Sequence, residues 1–324
     1  MPHAIRIHGT GGPEVLVWEP IEVGPPGPGE VRMRHTAVGL NFIDTYHRSG
    51  LYPLPGMPAV LGREAAGVVE EVGNGVTEFS PGDRVAFVLA GGSYCEESVV
   101  RADRLVPLPD ALDDRRAAAL LLKGLTARYL LRSSYRVKSG DTILIHAAAG
   151  GVGLLACQWA KHLGATVIGT VGSAAKAELA RQHGCDHAVL YKEEDFVERV
   201  KQITAGRGVP VVYDSVGRDT FERSLDCISP LGLMVSFGQS SGAVAPFDIG
   251  TLSTKGSLFL TRPTLATHIA DRQALLDGSR ELFDLVVGGA LKIDVHQTYP
   301  LREAARAHRD LEGRRTQGAT VLLP

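Results

Sequence analysis

The residues most plainly suited to chemistry form a small glycine-rich turn, residues 147–153, between an apolar run and an amphipathic stretch. An apolar strand, such a turn and a following helix are typical of sites that bind a pyrophosphate. Gly150 would let the backbone approach the anion, and Gly153 would let the helix pack close to the sheet. Ala148 stands where the usual pattern has its first glycine. A turn without a ligand is the alternative, but the strand–helix alternation that follows favours dinucleotide binding.

The type of dinucleotide is indicated by the end of the next strand, residues 165–170. NAD enzymes normally place an acid there, about 20 residues after the turn, to bind the ribose hydroxyls. This chain has no acid at that point and offers Gly172, Ser173 and Lys176 instead. A small turn and a lysine suit a 2′-phosphate by space and charge, so the sequence predicts NADPH. A purely solvated role for Lys176 is the alternative.

Composition limits the other classes of function. The chain has 324 residues, more than one hydrophobic core usually holds, and a formal net charge of −2 without a block of like charge. We therefore expect two domains and neither nucleic acid nor membrane as the main partner. Four scattered cysteines without a CxxC pair predict no disulfide framework and no metal site. No secretory leader is evident at the N-terminus, so the cytoplasm is the expected compartment.

The elements that position these residues form two regions with different secondary structure. Residues 1 to about 110 are mainly β, with short runs separated by Gly and Pro. A helix over residues 115–133 then leads into alternating strands and helices, which predicts an α/β fold with a parallel sheet. The strands of this part are predicted at residues 141–146, 166–170, 187–190, 209–214, 232–237 and 257–261.

The last part of the chain carries helices over residues 271–287 and 301–311 and a short strand over residues 320–323. A terminal strand needs a sheet to join, and the N-terminal β region is one candidate. On this interpretation the α/β domain, residues 124–262, is inserted into a discontinuous β-rich domain of residues 1–123 and 263–324.

Several motifs together resemble the quinone oxidoreductase branch of the medium-chain dehydrogenase/reductase superfamily, the zinc-independent relatives of zeta-crystallin. The resemblance covers the whole chain, and it is most specific at residues 38–46, 61–67, 82–85, 123–126, 147–153, 236–238, 261–263 and 314–318. It implies a Rossmann doubly wound parallel sheet inserted into a GroES-like β-rich catalytic domain, with a cleft between the two domains. It also implies a homodimer, commonly formed at the edges of the two cofactor-domain sheets.

The resemblance further implies which residues form the site. Asn41, Tyr46 and Tyr52 match the catalytic pocket, where Asn41 would bind the nicotinamide ribose or a substrate oxygen and the tyrosines would stack on a flat ring. The alternative is that both tyrosines merely line a loop. Arg314, or its neighbour Arg315, matches a basic residue that reaches the cofactor. The complete set expected to bind NADPH is Lys123, Thr126, Ala149, Gly150, Gly151, Val152, Gly172, Ser173, Lys176, Tyr191, Ser215, Phe237, Gly238, Arg262 and Arg314.

Zinc is not expected. Zinc-dependent members of the superfamily carry a cysteine and a histidine at the positions where this chain has Asn41 and Arg63, and neither residue replaces those ligands. The sequence therefore predicts a zinc-free NADPH:quinone oxidoreductase. One alternative is an NADPH-dependent enone or alkenal double-bond reductase; an alternative of another class is an NADPH-binding structural or regulatory protein.

Overall fold

A computed structural model describes residues 1–324, which form sixteen strands and ten α-helices. The strands are β1 (His3–Ile7), β2 (Val17–Pro20), β3 (Glu30–Leu40), β4 (Ala59–Val60), β5 (Glu64–Val72), β6 (Arg84–Val88), β7 (Glu97–Arg101), β8 (Leu105–Pro107), β9 (Thr142–Ile145), β10 (Thr166–Val171), β11 (His187–Leu190), β12 (Val209–Asp214), β13 (Ile228–Ser236), β14 (Phe259–Thr261), β15 (Val295–Pro300) and β16 (Ala319–Leu323). The helices are α1 (Phe42–Ser49), α2 (Asp114–Tyr129), α3 (Gly151–His162), α4 (Ala174–Gln182), α5 (Phe196–Ile203), α6 (Phe221–Leu225), α7 (Gly250–Thr254), α8 (Leu265–His268), α9 (Arg272–Val287) and α10 (Ala304–Glu312).

The chain divides into two compact units. The first unit contains residues 1–122, 269–287 and 293–324, and the second contains residues 123–268 and 288–292. The first unit thus includes both chain ends, and the second comes between them in sequence. No helix is long and apolar enough to cross a membrane.

The first unit is β-rich. Seven strands form one sheet in the order β15-β16-β3-β5-β6-β8, with β7 also paired to β3, and three strands form another in the order β2-β1-β4. The side chains of β3 alternate between its two faces and bury Val31, Met33, His35 and Ala37. The terminal strand β16 pairs antiparallel with β3, opposite Gly39 at Val321, which confirms that the C-terminal strand joins the N-terminal β region.

The second unit is a parallel sheet with the order β11-β10-β9-β12-β13-β14. Counted within the unit this order is 3-2-1-4-5-6, the arrangement of dinucleotide-binding folds, so the predicted α/β class is confirmed. The central strand β9 has neighbours on both sides, and its Ile143, Leu144 and Ile145 are all buried. Its carboxyl end leads into the glycine-rich turn.

The prediction was incomplete in the first unit. The strands β1, β2, β4, β8 and β15 and the helix α1 were not predicted. Each of these strands has at most six residues, and α1 has only eight, so neither pattern contains enough repeats to stand out. The helix matters most, because it begins next to Asn41.

Candidate functional site

The glycine-rich turn connects β9 to α3 and exposes the first turn of that helix. Gly150 is the residue before the helix, and its N–H donates to the carbonyl of Ala147 at 2.9 Å. Ala148 N–H donates to the carbonyl of Thr170 on the neighbouring strand β10 at 3.1 Å, which fixes the turn to the sheet. The first N–H groups of a helix have no acceptor within it, so those of Gly151 and Val152 can bind an anion.

Gly153 is required by space. A β carbon there would lie 2.4 Å from the carbonyl oxygen of Ala147 and 2.7 Å from that of Ala148. The close approach predicted for Gly153 is present, although its partner is the backbone of the turn. At Gly150 a β carbon would lie 3.2 Å from the carbonyl oxygen of Ala147, so this position is tight but less restricted.

The end of β10 brings together the residues predicted to bind the 2′-phosphate. Ser173 begins α4, and its hydroxyl accepts a hydrogen bond from the backbone N–H of Lys176 at 3.4 Å. A β carbon at Gly172 would lie 3.1 Å from the hydroxyl of Tyr191, which follows β11 and is 40% exposed. Gly172, Ser173 and Tyr191 therefore line one small region at the start of α4.

A third part of the same sheet edge follows β12, β13 and β14. The backbone N–H groups of Phe237 and Gly238 both donate to the carbonyl of Asp214, at 2.8 and 3.2 Å. The guanidinium of Arg262 donates to the carbonyls of Ser236 at 2.7 Å and Gly238 at 3.3 Å.

The same edge is packed tightly at Ser215. A β carbon at Gly238 would lie 2.6 Å from the carbonyl oxygen of Ser215, so only glycine fits there without a shift of the backbone. Ser215, Phe237, Gly238 and Arg262 thus lie at adjacent strand ends. In open parallel sheets, ligands bind outside the carboxyl ends of the strands, where all these residues are found.

Three residues of the predicted cofactor set do not follow a strand of the parallel sheet. Lys123 and Thr126 are on α2 and are buried. Arg314 belongs to the first unit, after α10, with a left-handed backbone φ of 57°. Its neighbour Arg315 is paired with the carboxylate of Asp310 at 2.6 Å.

In the first unit Asn41 is held by two carboxylates. It is buried at the end of β3, and its side-chain Nδ2 donates to Oε1 of Glu64 at 2.8 Å. The other oxygen of Glu64 accepts the backbone N–H of Leu122 on α2 at 2.7 Å. The backbone N–H of Asn41 donates to Oδ2 of Asp44 at 2.9 Å. The position and the orientation of the Asn41 amide are therefore fixed.

The two tyrosines of the predicted pocket touch each other. The rings of Tyr46 on α1 and Tyr52 lie 5.1 Å apart between centroids at an interplanar angle of 62°. The N–H of Tyr52 donates to the carbonyl of Tyr46 at 3.0 Å, which ties the loop after α1 back to the helix. Phe42 and His47 extend the cluster on either side, with centroids 5.6 Å from Tyr46 and 5.8 Å from Tyr52. Asn41, Tyr46 and Tyr52 thus lie on one helix and its flanking residues.

Arg63 lies where the family resemblance aligns this chain with a zinc-binding histidine. Its Nη2 lies 2.8 Å from Nε2 of His47. Burial and the Arg63 cation lower the pKa of His47 to about 4, so this imidazole accepts the hydrogen bond in its neutral form. No group of three or more His, Cys, Asp or Glu side chains is placed to hold a metal ion.

Sequence reasoning missed the residues that hold Asn41. Neither Asp44 nor Glu64 was among the predicted site residues. The signal for Asp44 was present, since an Asn followed three residues later by an acid is a frequent start of a helix. The signal for Glu64 was not, because its contact depends on the pairing of β3 with β5 across 23 positions.

Comparison with known proteins places the chain in a family. The model of the alcohol dehydrogenase GroES-like domain matches residues 27–110, and that of the zinc-binding dehydrogenases matches residues 151–272. The match to the zinc-binding dehydrogenases, residues 151–272, does not include Asn41 or Arg63, the two positions discussed above for zinc. A GroES-like part and a Rossmann-type part together define a dehydrogenase or reductase of the medium-chain superfamily.

Individual relatives narrow this class. A quinone oxidoreductase of Pseudomonas aeruginosa is 54% identical over 325 residues, with 100% of both chains covered. A 2-haloacrylate reductase of a Burkholderia species is 51% identical over 331 residues, with 100% of this chain and 99% of that protein covered. The crystal structure of Escherichia coli quinone oxidoreductase complexed with NADPH has a TM-score of 0.98 at 52% identity, covering 99% of this chain and 100% of that chain. The chain belongs to the quinone oxidoreductase family of the medium-chain dehydrogenase/reductase superfamily.

Proposed function

We propose that this chain is an NADPH-dependent quinone reductase that works without zinc. The observation that carries the proposal is the end of β10, where Gly172, Ser173 and Lys176 replace the acid of NAD enzymes and Tyr191 packs beside them. Relatives that are 52–54% identical to this chain are named quinone oxidoreductases, and the Escherichia coli enzyme among them was solved with NADPH.

The sheet edge fits the parts of NADPH in order. At the start of α3 the backbone N–H groups of Gly151 and Val152 would bind the pyrophosphate, and Ala149 and Gly150 would line the turn beside it. Lys176 and Ser173 would bind the 2′-phosphate by charge and hydrogen bonding. Tyr191, which is partly exposed, would cover the adenine with its ring.

At the nicotinamide end of NADPH we expect one specific hydrogen bond. The N–H groups of Phe237 and Gly238 are bonded to Asp214, and the carbonyls of Ser236 and Gly238 are bonded to Arg262. The carbonyl of Phe237 lies between these bonded groups, and we assign it as the acceptor for the carboxamide NH₂. The role of Arg262 is then to hold the strand end in shape. Lys123, Thr126, Ser215 and Arg314 complete the proposed binding set.

When bound, NADPH supplies a hydride, and a quinone that takes up this hydride and one proton becomes a hydroquinone. The chain's own residues bind and orient the acceptor. Asn41 presents its fixed amide to a hydroxyl or carbonyl oxygen, and Tyr46 and Tyr52 offer ring faces and hydroxyls to a flat acceptor. A quinone gives a stabilised oxygen anion that water can protonate, so positioning supplies most of the catalysis.

The variants Asn41→Ala and Tyr46→Phe test this assignment of the substrate side. Both should lower kcat/KM for a quinone while leaving the dissociation constant of NADPH within a few-fold of wild type. Val200→Ala, a buried change on α5 of the second unit outside the proposed set, is the control for general loss of packing. Unchanged quinone kinetics in both test variants would remove Asn41 and Tyr46 from the site.

A second candidate function is reduction of an activated carbon–carbon double bond. It is favoured by the 51% identity to a 2-haloacrylate reductase, whose substrate is a conjugated acid. A panel of acceptors followed by loss of NADPH absorbance separates the two: benzoquinone, a naphthoquinone, an enone, an alkenal, 2-chloroacrylate and a simple ketone. Quinone preference supports the main proposal, and preference for the alkenal, the enone or 2-chloroacrylate supports the second. Tight NADPH binding without turnover of any acceptor would favour a structural or regulatory role.

We also propose a homodimer formed at the edge strand β14. This strand has a neighbour on one side only, and its Phe259 and Leu260 are 59% and 37% exposed. An apolar, unpaired edge is a surface that a second copy can cover. Light scattering should give twice the chain mass, and Phe259→Lys should shift the protein toward the monomer. A monomeric wild type would contradict this proposal.

The cytoplasm is the proposed compartment. All four cysteines are free and buried, and none is paired in a disulfide. Proteins with only reduced cysteines are typical of reducing compartments, where NADPH is also supplied. Fractionation of the producing cell tests this, and recovery of the protein outside the cytoplasm would contradict it.

A further inference from the structure

A chain of buried polar side chains runs beneath α1 and is not used by the proposed reaction. Nη1 of Arg48 lies 3.1 Å from Nδ1 of His308, and Nε2 of His308 lies 3.0 Å from the hydroxyl of Tyr94. The hydroxyl of Tyr94 lies 3.0 Å from Oδ2 of Asp44. All four residues are buried, and they come from α1, α10 and the segment before β7.

The direction of every hydrogen bond in this chain is determined by chemistry. A guanidinium only donates, so Nδ1 of His308 must accept from Arg48. Burial and the Arg48 cation lower the pKa of His308 to about 3, so the imidazole is neutral and carries its one proton on Nε2. This N–H donates to the oxygen of Tyr94, and the Tyr94 hydroxyl therefore donates to Asp44.

Both ends of this series of hydrogen-bonded side chains are anchored. At the outer end the guanidinium of Arg48 is bonded to both oxygens of Glu312, at 2.7 and 2.9 Å, and to the carbonyl of Gly11 at 3.1 Å. At the inner end Oδ2 of Asp44 accepts both the Tyr94 hydroxyl and the backbone N–H of Asn41, the latter at 2.9 Å. The other oxygen, Oδ1, is buried without a partner. Asp44 thus depends on two donors, one of which is Asn41.

This arrangement does not conduct protons. A proton relay needs each member to accept on one side and donate on the other, and an arginine cannot accept. A proton therefore cannot pass through this series of hydrogen bonds beyond Arg48. Its physical effect is to fix the position of Asp44, because a buried carboxylate is stable only where its hydrogen-bond donors are held in place.

We propose that Tyr94 and His308 are positioning residues that act through Asp44 to set the geometry of Asn41 in the substrate pocket. The inference rests on the proposed role of Asn41. The second anchor of Asn41, the bond from its Nδ2 to Glu64, holds the side chain, while Asp44 holds the backbone. Together Glu64 and Asp44 fix both the side chain and the backbone of Asn41.

A dependence on pH follows from the geometry. The pKa of Asp44 is raised to about 7, because burial and the nearby Glu64 outweigh the bonds from Asn41 and Tyr94 and the Arg63 cation, which lower it. A protonated Asp44 is a weaker acceptor for both donors. Turnover should therefore rise with pH as Asp44 ionises. Beyond Tyr94, the neutral His308 and the paired Arg48 and Glu312 are the groups that face this site from α10 and α1.

The test is Tyr94→Phe, which keeps the ring and removes the one hydroxyl that joins Asp44 to His308. We expect kcat/KM for benzoquinone at pH 7 to fall by about tenfold, within the range that small misplacements of a site cause. We expect the acid limb of the pH profile to move up by about one unit, because Asp44 loses a donor to its charged form. Asp44→Asn keeps an acceptor oxygen without a charge, so it should retain more activity than Asp44→Ala and lose the acid limb.

The matched control is Tyr213→Phe. Tyr213 is also fully buried and loses one hydroxyl bond, to the carbonyl of Leu130 at 3.1 Å, but it lies in the second unit. It should lower Tm by a similar amount and leave the pH profile unchanged. If Tyr94→Phe behaves like this control, with a lower Tm and an unmoved acid limb, the positioning role is overturned.

Nuclear magnetic resonance provides a readout that does not depend on turnover. In the wild type, the backbone amide of Asn41 should titrate with the carboxyl of Asp44, and both midpoints should rise in Tyr94→Phe. The nitrogen shifts of His308 should show the proton on Nε2. An Asn41 amide that does not follow Asp44, or a proton on Nδ1, overturns the inference. Absence of turnover in the wild type with these signals intact would instead contradict the proposed function.

Discussion

The β carbon of Ala148 lies in the space that a side chain on Gly169 would need. A β carbon added to Gly169, on the adjacent strand β10, would be 2.6 Å from that of Ala148 and 2.7 Å from the sulfur of Cys185. The turn has an alanine where dinucleotide-binding folds usually have their first glycine, and the neighbouring strand provides the missing space. The departure from the usual motif is thus compensated within the same unit.

Gly169→Ala should therefore disturb the turn more than its conservative chemistry implies. Overpacking of this kind costs about 1–3 kcal/mol, so we expect a lower Tm and a dissociation constant for NADPH raised by roughly tenfold. Calorimetry and fluorescence titration measure the two effects. Gly24→Ala, at a position with nothing within 4 Å of the added carbon, is the control and should change neither. Wild-type NADPH affinity in Gly169→Ala would show that the turn tolerates the extra carbon.

Ser173→Asp should change the preference between NADPH and NADH. Aspartate is a good residue at the start of a helix, so α4 should remain intact, but its charge would repel a 2′-phosphate. We expect kcat/KM with NADPH to fall by a factor on the order of 100, with a much smaller effect on NADH, when steady-state rates are compared. Ser173→Asn keeps the helix start without the charge and should stay near wild type. Equal losses with both cofactors would contradict the placement of the phosphate.

Removal of metal should not affect activity. Asn41 and Arg63 stand where zinc enzymes of the superfamily have ligands, and the Arg63 cation bonded to His47 disfavours a second cation at that point. Protein treated with a strong chelator and then dialysed should retain its full quinone turnover. Elemental analysis should find no stoichiometric zinc. A loss of activity that added zinc restores would contradict the account.

Asp44→Asn should change how stability depends on pH. The folded-state pKa of Asp44, about 7, is above its unfolded value, so the folded protein binds more protons and Asp44 loses its stabilising effect as pH rises from 4 to 7. The buried His35 and His308, with pKa values of about 4 and 3, act in the opposite direction, because they lose stability as pH falls below 6.5. These contributions partly cancel in the wild type.

Without Asp44 the histidines alone remain. Between pH 7 and pH 5 the free energy of unfolding of Asp44→Asn should fall by roughly 2 kcal/mol more than that of the wild type. Urea unfolding at the two pH values measures this difference. Asp277→Asn, at an exposed acid on α9, is the control and should follow the wild type. Parallel pH dependence of Asp44→Asn and wild type would show that the carboxyl of Asp44 is not perturbed.

The second unit could largely be predicted because its signals are local. Parallel strands such as the edge strand β11 and the buried strand β12 are short runs with mostly apolar residues, and both were predicted with the bounds that the structure has. The glycine-rich turn and the missing acid after β10 are likewise contained in a few consecutive residues. Tyr191, Phe237 and Arg262, at later strand ends, were singled out by the family resemblance, and the parallel sheet places the carboxyl ends of their strands at one edge.

The first unit was harder because its contacts are between distant residues. Asn41 and Tyr46 were singled out by family resemblance, whereas Glu64, Tyr94 and His308 have no local pattern that connects them to Asn41. His308 is 214 positions from Tyr94 and reaches it only because the C-terminal segment returns to the first sheet. Polar networks of this kind depend on tertiary packing, which periodicity and turn chemistry do not encode.

The central claim is tested most directly by steady-state reduction of benzoquinone by chelator-treated protein, with NADPH and NADH compared as donors. The account predicts turnover without added metal and a kcat/KM at least tenfold higher with NADPH, since Lys176 and Ser173 recognise the 2′-phosphate. A preference for NADH, or turnover only after zinc is added, would contradict it.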